Sequence, residues 1–389
     1  MGPLVAALGV AQIISWGTLF YAIGVLGPAM RQDLGVSELF LFSAFTAGLI
    51  VSALLAPLAG RMIDDRGGRL VLSTGSVLGA IAMGLLACAE GPVVMVAGWL
   101  VAGAAMAACL YDPAFATLGQ HTGDRYRKAV TALTLFGGFA STVFWPLSLL
   151  LLEAWGWRAT LGIYAGIHLF ICLPIHRGFV PAYLRPAPRA TPVESASDAA
   201  ARDPRLPWLA LSFAIATFIF AVMAVHLITL LTSAGLTPAQ AVTVAMLVGP
   251  LQVAGRVIEF RFSARVRAVT VGIIAFSLML LSLVALISVQ GFGIAAVVFI
   301  VAYGIGNGVL TIVKGTAPVE LYGREKLGRL LGKLGAASQF AKAVAPAAFS
   351  GLLAIGLTRN AALGALVAVG VAGLGSFWVS TRPRREPTR

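Results

Sequence analysis

Long apolar runs separated by short polar segments make up most of the chain. At about 20 apolar residues for each membrane crossing, these runs predict six helices on either side of a polar mid-chain stretch. The predicted helices lie near residues 5–27, 39–60, 70–89, 92–118, 129–152, 158–176, 208–232, 239–260, 268–290, 292–316, 329–355 and 360–380. The pattern therefore predicts an all-α polytopic membrane protein, with twelve transmembrane helices in two six-helix bundles, residues 1–176 and 208–381.

The polar stretch from residue 177 to residue 207 separates the two bundles. It is rich in proline, contains the run Glu194-Ser195-Ala196-Ser197-Asp198, and lacks the apolar periodicity of a helix. Such a composition is typical of a flexible linker, and about 30 residues of it are too few and too polar to form a folded domain. Residues 382–389 form a second polar segment, a basic tail.

A charged segment in the first bundle has a weaker copy in the second. Gly60-Arg61-Met62-Ile63-Asp64-Asp65-Arg66-Gly67-Gly68-Arg69 lies between two apolar runs, and Gly255-Arg256-Val257-Ile258-Glu259-Phe260-Arg261 follows its first seven positions 195 residues later. Because an Arg or Lys at the bilayer centre costs about 2.5–3.5 kcal/mol, both segments are predicted at a membrane face. The echo predicts two parallel structural repeats.

Composition and charge support a membrane protein and give it an orientation. The 389 residues are 59% hydrophobic and 11% charged, against about 25% charged residues in soluble domains. With both termini placed in the cytoplasm, 23 of the 28 Lys and Arg residues fall in cytoplasmic segments, as the positive-inside rule expects. Topology therefore explains the net charge of +13, and its dispersal between apolar runs argues against a nucleic-acid partner.

Sequence motifs of other protein classes are missing. Cys88, Cys109 and Cys172 lie within apolar runs without metal-ligand spacing, so neither a disulfide framework nor a metal site is predicted. The chain has no Gly-rich phosphate loop and no catalytic constellation, so we expect neither an enzyme, nor direct ATP driving, nor a cofactor. No basic region precedes the first apolar run, which is therefore expected to stay as a helix and not to be a cleaved signal peptide.

The segment from Gly60 to Arg69 resembles the signature loop between helices two and three of the major facilitator superfamily, usually written G-x-x-x-D-R-x-G-R-R/K. Gly60, Asp64, Gly67 and Arg69 match in register, whereas Asp65 takes the place of the first Arg. The resemblance covers essentially the whole chain, since the six-plus-six layout and the mid-chain linker also fit. It implies a secondary transporter that works by alternating access, in which this loop helps to set the balance between the outward-open and inward-open states.

A gating role is one interpretation of the loop's charges. The carboxylate of Asp64 could bridge to a helix N-terminus or to an Arg in one state and lose that bridge in the other. In the weaker copy, Glu259 is a lone acid among basic residues, so a latch is expected to depend on the first copy. Alternatively, the charges only anchor the topology and solvate a tight turn. Gly60 and Gly67 are explained by close helix approach and turn geometry.

A second resemblance is confined to helices five and six. It is carried by the pair Gly137-Gly138, by Pro146 and by the triplet Gly156-Trp157-Arg158. These features look like the corresponding part of the monocarboxylate transporter and oxalate:formate antiporter group, which implies an anionic substrate.

Drug:proton antiporters of the superfamily differ in helix four. They usually have an R-x-x-Q-G pattern there, whereas Trp99 and Ala102 occupy the Arg and Gln positions before Gly103. The sequence therefore argues against proton-coupled drug export of that type.

Lys342 is the strongest candidate for a substrate-binding residue, because an ionisable side chain inside a membrane helix is costly and usually functional. It lies near the middle of predicted helix eleven, at the depth where such transporters hold their substrates. Ser338 is four residues earlier on the same helix face, and Gln339 is adjacent to it. Members of the oxalate:formate group resemble this chain in having a basic residue midway along helix eleven. The alternative is a lysine that snorkels or binds backbone carbonyls.

Helix eight supplies no second central charge. Its centre, residues 246–252, has no basic residue, and Arg256 lies nearer the cytoplasm. A monoanion is therefore expected in preference to a dicarboxylate.

Other polar residues within the apolar runs have two interpretations each. Gln12 and Trp16 in helix one, and Asn307 and Thr311 in helix ten, are pairs four residues apart that could line a shared cavity. Interhelical hydrogen bonding and ordinary packing are at least as good an explanation.

Three further residues are candidates for proton coupling: Asp112, His168 and His226. A structural role is the favoured interpretation of each, because neutral imidazole is tolerated in a membrane helix and Pro113 leaves carbonyls free beside Asp112. Lys314, near the inner end of helix ten, is expected to snorkel.

These features predict a monomeric transporter in the bacterial inner membrane, moving a small organic or inorganic anion by proton coupling or exchange. Its expected partners are the substrate, protons and the lipid bilayer. Two alternatives stay open. The first is an efflux pump for a neutral or cationic toxic compound, and the second is a non-transporting sensor on the same scaffold.

Overall fold

The computed structural model describes residues 2–182, 203–263 and 265–382. Within these ranges the secondary structure is helical and contains no strand, which confirms the predicted all-α class. Most of the predicted linker, and all but the first residue of the basic tail, lie outside the described residues. The structure divides into two units, the first made of described residues from 1–193 and 324–343, the second from 194–323 and 344–389.

The helices of the described chain fall into two groups along the sequence. The first group is α1 (Gly2–Trp16), α2 (Ile23–Leu34), α3 (Glu38–Arg66), α4 (Gly68–Ala87), α5 (Pro92–Cys109), α6 (Tyr111–His121), α7 (Tyr126–Gly138), α8 (Ala140–Ile167) and α9 (Leu173–Phe179). The second group is α10 (Leu206–Thr232), α11 (Pro238–Met246), α12 (Val248–Phe262), α13 (Ala268–Ile287), α14 (Ile294–Tyr322), α15 (Leu327–Ala354) and α16 (Arg359–Thr381).

Ten helical stretches of the described residues are long and apolar enough to cross a membrane. In a bilayer a helix satisfies every backbone polar group within its own segment, which is why runs of this length become helices. α15 is not among the ten. The stretch Gly123–Phe179 contains a break at Gly156, whose φ of 77° and ψ of 170° are not helical. The number twelve, the domain boundaries and the cytoplasmic termini stay predictions.

Local irregularities divide several of these stretches. Leu110 adopts an extended conformation between α5 and α6, three residues before Pro113, whose ring nitrogen has no proton to donate. Two short π-helical turns, Gly17–Tyr21 and His168–Cys172, follow α1 and precede α9. A π-turn contains one more residue than an α-turn and is frequent at functional sites. Both turns lie in the first unit.

The core of the first unit depends on close backbone approach. A Cβ built on Gly103 of α5 would overlap the carbonyl oxygen of Gly48 in α3. The N-terminal part of α15 belongs to the same unit and contacts α3 in the same way. There, a Cβ on Gly60 would overlap the carbonyl oxygen of Gly328, and a Cβ on Gly328 would overlap that of Gly60. Glycine is required at these positions because any side chain would hold the backbones apart.

The second unit begins with an ion pair and contains equally close helix contacts. Asp203 accepts hydrogen bonds from the guanidinium of Arg205, at 2.7 Å for Nη2, and this bonding raises the pKa of Arg205. Within the unit, α12 packs closely on α14, where a Cβ on Gly255 would lie 2.8 Å from the carbonyl oxygen of Ile305. Gly255 is the counterpart of Gly60 in the repeated segment, and it too marks a tight helix crossing.

Equivalent polar contacts recur about 200 residues apart, once in each unit. Gln120 accepts a hydrogen bond from the N–H of Gly68 at the start of α4, and Glu320 accepts one from the N–H of Ala268 at the start of α13. Both contacts satisfy an N–H group that the helix itself leaves unpaired. The two halves therefore share local architecture beyond the charged segment that revealed the repeat.

Two arginines make a second pair of equivalent contacts. Arg158 donates to the carbonyl oxygen of Ala89 after α4, and Arg359 donates to that of Leu286 in α13. Each arginine thus satisfies a carbonyl at the C-terminal end of the corresponding helix in its own unit.

Candidate substrate-binding site

Lys342 is buried in the first unit, with only 5% of its surface exposed. Its ammonium lies over two aromatic faces, 3.7 Å from the ring centroid of Phe20 and 4.8 Å from that of Trp16. A cation within about 6 Å of a ring centroid is attracted by the negative face of the ring. The two rings therefore stabilise a charged lysine where the lipid environment would otherwise disfavour it.

These two rings belong to a larger aromatic cluster. Its members are Trp16, Phe20, Tyr21, Phe45, Trp99, Tyr111, Phe115 and Trp145, from α1, its π-turn, α3, α5, α6 and α8. Trp16 is central, with ring centroids 5.4 Å from Phe20 and 5.1 Å from Tyr111. Edge-to-face and tilted pairs at such distances add to the stability gained from burial. The cluster supplies a rigid apolar surround for the ammonium.

The π-turn Gly17–Tyr21 sets the directions of two cluster members. The turn holds Phe20 and Tyr21, whose rings lie 5.3 Å apart in an edge-to-face arrangement. Gly17 begins the turn, and a Cβ there would overlap the ring of Phe144. The extra residue of a π-turn changes the faces that its side chains occupy. The geometry at Lys342 therefore depends on the turn remaining in this form.

Trp16 also has an unsatisfied polar group. Its indole Nε1 is buried and has no hydrogen-bond partner among the described residues. A buried N–H that lacks an acceptor costs about 1–3 kcal/mol. An anion beside Lys342 could accept a hydrogen bond from this N–H and remove the cost.

Gln339 and Asp112 lie together in the first unit, near Ser52. Gln339 donates to the hydroxyl of Ser52 at 3.2 Å, and all three residues line one cavity formed by α3, α5, α6 and α15. The Asp112 carboxylate lies against Gly335, where a Cβ would be 2.6 Å from Oδ2. The cavity therefore contains a carboxylate, an amide and a hydroxyl.

Two predicted binding residues use their polar groups in the helix framework. Ser338 is fully buried and donates its hydroxyl to the carbonyl oxygen of Leu334 at 3.0 Å. Gln12 is fully buried and donates its amide to the carbonyl oxygen of Cys109 at 2.7 Å, which joins α1 to the end of α5. Both hydrogen bonds are of the structural kind that was each residue's alternative interpretation, and a binding role for Ser338 and Gln12 stays a prediction.

The charged segment after Gly60 contacts the N-terminus of α15. Asp64 accepts hydrogen bonds from the backbone N–H groups of Gly328 at 2.8 Å and Arg329 at 2.7 Å. These are the second and third residues of α15, so the carboxylate satisfies N–H groups that the helix leaves unpaired and interacts favourably with its dipole. Asp65 pairs with the Arg329 side chain at 3.2 Å.

The rest of the segment has structural contacts. Gly67 ends α3 with a φ of 87°, a conformation that favours glycine. Arg69 donates to the carbonyl oxygen of Arg177 in the last turn of α9. The turn geometry expected of Gly67 is therefore present, and the gating role of the segment stays a prediction.

The remaining candidates of helices seven, eight and ten lie in the second unit. Asn307 is buried, and its backbone carbonyl oxygen accepts a hydrogen bond from the Thr311 hydroxyl at 3.2 Å. Glu259 is 5% exposed. His226 is half-buried, with Nε2 3.2 Å from the carbonyl oxygen of Pro346. In the same unit Arg256 is 4% exposed and donates to the carbonyl oxygen of Gly308 at 3.4 Å, so it is more deeply buried than its place in the sequence suggested.

The sequence interpretation named Trp16 as a candidate binding residue but did not pair it with Lys342, and it did not name Phe20. Phe20 follows Trp16 by four residues and therefore shares its helix face, a signal that the sequence does contain. Phe45, Tyr111 and Trp145 carry no such signal, because their approach to helix one depends on how distant helices pack. No group of three or more potential metal ligands occurs among the described residues.

Comparison with known proteins identifies the family. The sequence model described as Major Facilitator Superfamily matches residues 8–295, about three quarters of the chain. The chain belongs to the major facilitator superfamily. It is therefore a multi-pass membrane transporter, of a family whose members are generally not enzymes.

Similar proteins agree with this superfamily assignment. The sequence is 32% identical over 130 residues to the multidrug resistance protein MdtL of Klebsiella pneumoniae (strain 342). This match covers 33% of the chain and 32% of MdtL, so the chain spans only about a third of that relative.

Two solved structures have the same fold over nearly their whole length. The human organic anion transporter MFSD10 (TETRAN) has a TM-score of 0.74 at 14% identity, covering 96% of this chain and 99% of that one. The fucose:proton symporter FucP of E. coli has a TM-score of 0.73 at 14% identity, covering 97% and 98%. At this identity the likeness shows the superfamily fold alone.

Proposed function

We propose that this superfamily member is a secondary transporter for a small organic monoanion, bound at Lys342 through its carboxylate. The observation that carries the proposal is the buried Lys342 ammonium lying on the faces of Phe20 and Trp16. A buried cation in a transporter's helix core marks a substrate or ion pathway more often than a structural contact. We further propose a bacterial inner membrane as its location, with transport by proton coupling or exchange.

Trp16 contributes a second interaction to the proposed complex. A carboxylate that reaches Lys342 could also accept a hydrogen bond from the unpaired indole N–H of Trp16, giving two charge-assisted hydrogen bonds. The aromatic cluster would then pack against the apolar body of the anion. An organic monoanion with a hydrophobic or planar body fits these contacts better than a small inorganic ion, which would leave the apolar walls without a partner.

Flux measurements in proteoliposomes test this assignment. Wild type, Lys342→Gln, Lys342→Arg and Trp16→Phe are compared for uptake of aliphatic and aromatic monocarboxylates, with dicarboxylates and inorganic anions as competitors. Loss of a buried charge partner, at about 1.5–3 kcal/mol, predicts a fall of about 10- to 100-fold in kcat/KM for Lys342→Gln. Trp16→Phe keeps an aromatic ring and removes the N–H. We therefore expect a rise in KM whose effect on kcat/KM is smaller than that of Lys342→Gln.

Lys333→Gln is the matched control, because Lys333 is an exposed lysine of the same helix. It should transport like wild type. Monoanion flux that is unchanged in Lys342→Gln would exclude Lys342 as the counter-charge.

A second candidate function is efflux of a neutral or cationic toxic compound. It is favoured by the partial sequence likeness to a multidrug resistance protein and by the aromatic cluster, whose ring faces attract organic cations. Drug extrusion by cells expressing the protein, undiminished in Lys342→Gln and accompanied by no anion flux, would support this candidate over the first. A purified protein that moves no solute of either class would favour the sensor.

A further inference from the structure

Two histidines form a buried stripe that packs against α1 and α4. His168 and His176 are both fully buried in the first unit, and Cys172 lies between them at the same four-residue spacing. Residues spaced by four share one helix face, and this face packs against α1 and α4. The lysine site described above does not use these groups.

The hydrogen bonds of His168 define its protonation. Thr18 Oγ1 lies 2.9 Å from the carbonyl oxygen of Ile14 and 2.7 Å from His168 Nε2. A threonine hydroxyl has a single proton, and the carbonyl can only accept it. When the hydroxyl donates its proton to the carbonyl, the imidazole donates from Nε2, and its other nitrogen, Nδ1, has a free lone pair.

That lone pair is a buried base without a partner. His168 Nδ1 has no hydrogen-bond partner among the described residues, and it faces Gly79 of α4, where a Cβ would lie 2.8 Å away. His176 repeats the arrangement, because Nδ1 is 2.8 Å from Ser76 Oγ while Nε2 is buried without a partner in the described structure. Each ring is thus neutral and has one nitrogen that could bind a proton.

The two rings are expected to hold one proton between them. His168 and His176 lie about two helical turns apart on one helix face, so imidazolium ions on both rings at once would repel each other. The other titratable groups near the stripe are the thiols of Cys172 and Cys109, next to Ser15 of α1, and Tyr164, whose hydroxyl is 2.6 Å from Ser148. Arg69 of α4 and Arg177 of α9 lie at the end of the stripe beyond His176, where Arg69 donates to the carbonyl oxygen of Arg177.

Protonation would change the contact between two π-turns. His168 begins one of them, and its partner Thr18 belongs to the other, which also contains Phe20. A proton on Nδ1 would leave a buried N–H facing Gly79 without an acceptor, at a cost of about 1–3 kcal/mol, so the ring would have to shift. The least costly place for such a shift is the pair of π-turns, because the helix is already interrupted there.

We propose that His168 and His176 form the proton-binding site of this transporter and that Thr18 and the π-turn Gly17–Tyr21 transmit its state to Lys342. One ring nitrogen takes a proton from water on one side of the membrane, forms an imidazolium and later returns the proton to water on the other side. The displaced turn moves Phe20 relative to the Lys342 ammonium and so alters the affinity for the anion. The coupling part of this proposal rests on the proposed anion transport, whereas proton binding by the histidines does not.

Two measurements on the full-length protein test the proposal. In lipid nanodiscs, ¹⁵N-histidine NMR follows the rings of wild type, His168→Gln and His176→Gln over about pH 4 to 8. We expect the pair to take up one proton within this range. Absence of protonation on both rings across this range would overturn the proton site.

The second measurement concerns coupling in proteoliposomes. In His168→Gln, anion exchange without a gradient should persist, whereas acceleration by a pH gradient should be lost, because the variant has no imidazole nitrogen to bind the proton. Thr18→Val keeps the side-chain shape and removes the hydroxyl, so it should reduce the same acceleration even if His168→Gln folds poorly. His121→Gln is the matched histidine control, because His121 lies in α6 outside the stripe, and it should keep full acceleration. Full acceleration in both His168→Gln and Thr18→Val would overturn the coupling role.

The two measurements fail independently. Titrating histidines in a protein without anion flux would refute the substrate assignment and leave the proton site standing. Lys342-dependent anion flux with histidines that never titrate would refute the proton site alone.

Discussion

The contact between α3 and α15 leads to a prediction whose magnitude follows from the structure. Replacing Gly328 by Ala would place a Cβ over the carbonyl oxygen of Gly60 and 2.7 Å from Asp64 Oδ1. Ordinary contacts of a carbon atom begin at about 3.5 Å, so the two helices must separate by about 1 Å. The hydrogen bonds from Asp64 to Gly328 and Arg329, now 2.8 and 2.7 Å, would then exceed hydrogen-bonding distance.

The expected cost follows from the type of bond. A hydrogen bond to a charged group contributes about 1.5–3 kcal/mol, and water that enters the gap recovers part of it. We therefore expect Gly328→Ala to weaken docking of the α15 N-terminus by about 3 kcal/mol, equivalent to about a 100-fold shift of the equilibrium.

Hydrogen–deuterium exchange of the peptide spanning 324–333 measures this shift directly, because amides held by Asp64 exchange only when the contact opens. Gly328→Ala should exchange about 100-fold faster there. Gly351→Ala is the control, since Gly351 lies in the same helix and nothing lies within 4 Å of its added Cβ. Alanine is also about 1 kcal/mol more favourable than glycine inside a helix, and the Gly351→Ala control contains the same gain. If amide exchange of this peptide in Gly328→Ala stays within about threefold of that in wild type and in Gly351→Ala, close backbone approach does not hold Asp64 in place.

Two more predictions concern packing and capping in the first unit. Gly103→Ala should lower the unfolding temperature, because its Cβ overlaps a carbonyl of α3 and overpacking costs about 1–3 kcal/mol. Gly84→Ala is the control and should not lower it, because the space around Gly84 is open. Equal unfolding temperatures of the two variants in a thermal scan would contradict this prediction. Arg158→Ala should destabilise the protein more than Asp33→Asn. Asp33→Asn removes only the exposed ion pair between Asp33 and Arg158, which contributes at most about 1 kcal/mol. Arg158→Ala also removes the hydrogen bond from Arg158 to the Ala89 carbonyl at 2.9 Å, which satisfies a helix end. A larger loss in Asp33→Asn, measured by the same scan, would reverse that assignment.

The histidines illustrate what a sequence can and cannot decide about a candidate site. His168 was recognised as a possible proton carrier because an ionisable group in an apolar run is unusual. Its alternative, a hydrogen-bonded packing residue, could not be separated from that role without knowing which of its nitrogens has a partner. The bond to Thr18, 150 residues away along the chain, supplies that information.

For other candidates, too, the structure supplies contacts that the sequence could not specify. Ser338 and Lys342 share a helix face, as their spacing predicted, yet the serine hydroxyl bonds its own helix while the lysine meets aromatic rings. Asp64 was recognised as a possible helix cap, but its partner, the start of α15, is 264 residues away along the chain. Motif reading can therefore name a group that needs a partner without naming the partner.

The sequence by itself determined the helical class and the membrane environment, because both depend on local composition, and its loop from Gly60 to Arg69 carried the resemblance to the superfamily. A run of about 20 apolar residues satisfies its own backbone only as a helix, wherever that helix later packs. Only the tertiary structure decided that Phe20 and Trp16 lie beneath Lys342, that Gln12 is held by Cys109, and that two π-turns meet at His168. These contacts join segments far apart in the chain, and they depend on the packing of whole helices, which no local pattern specifies.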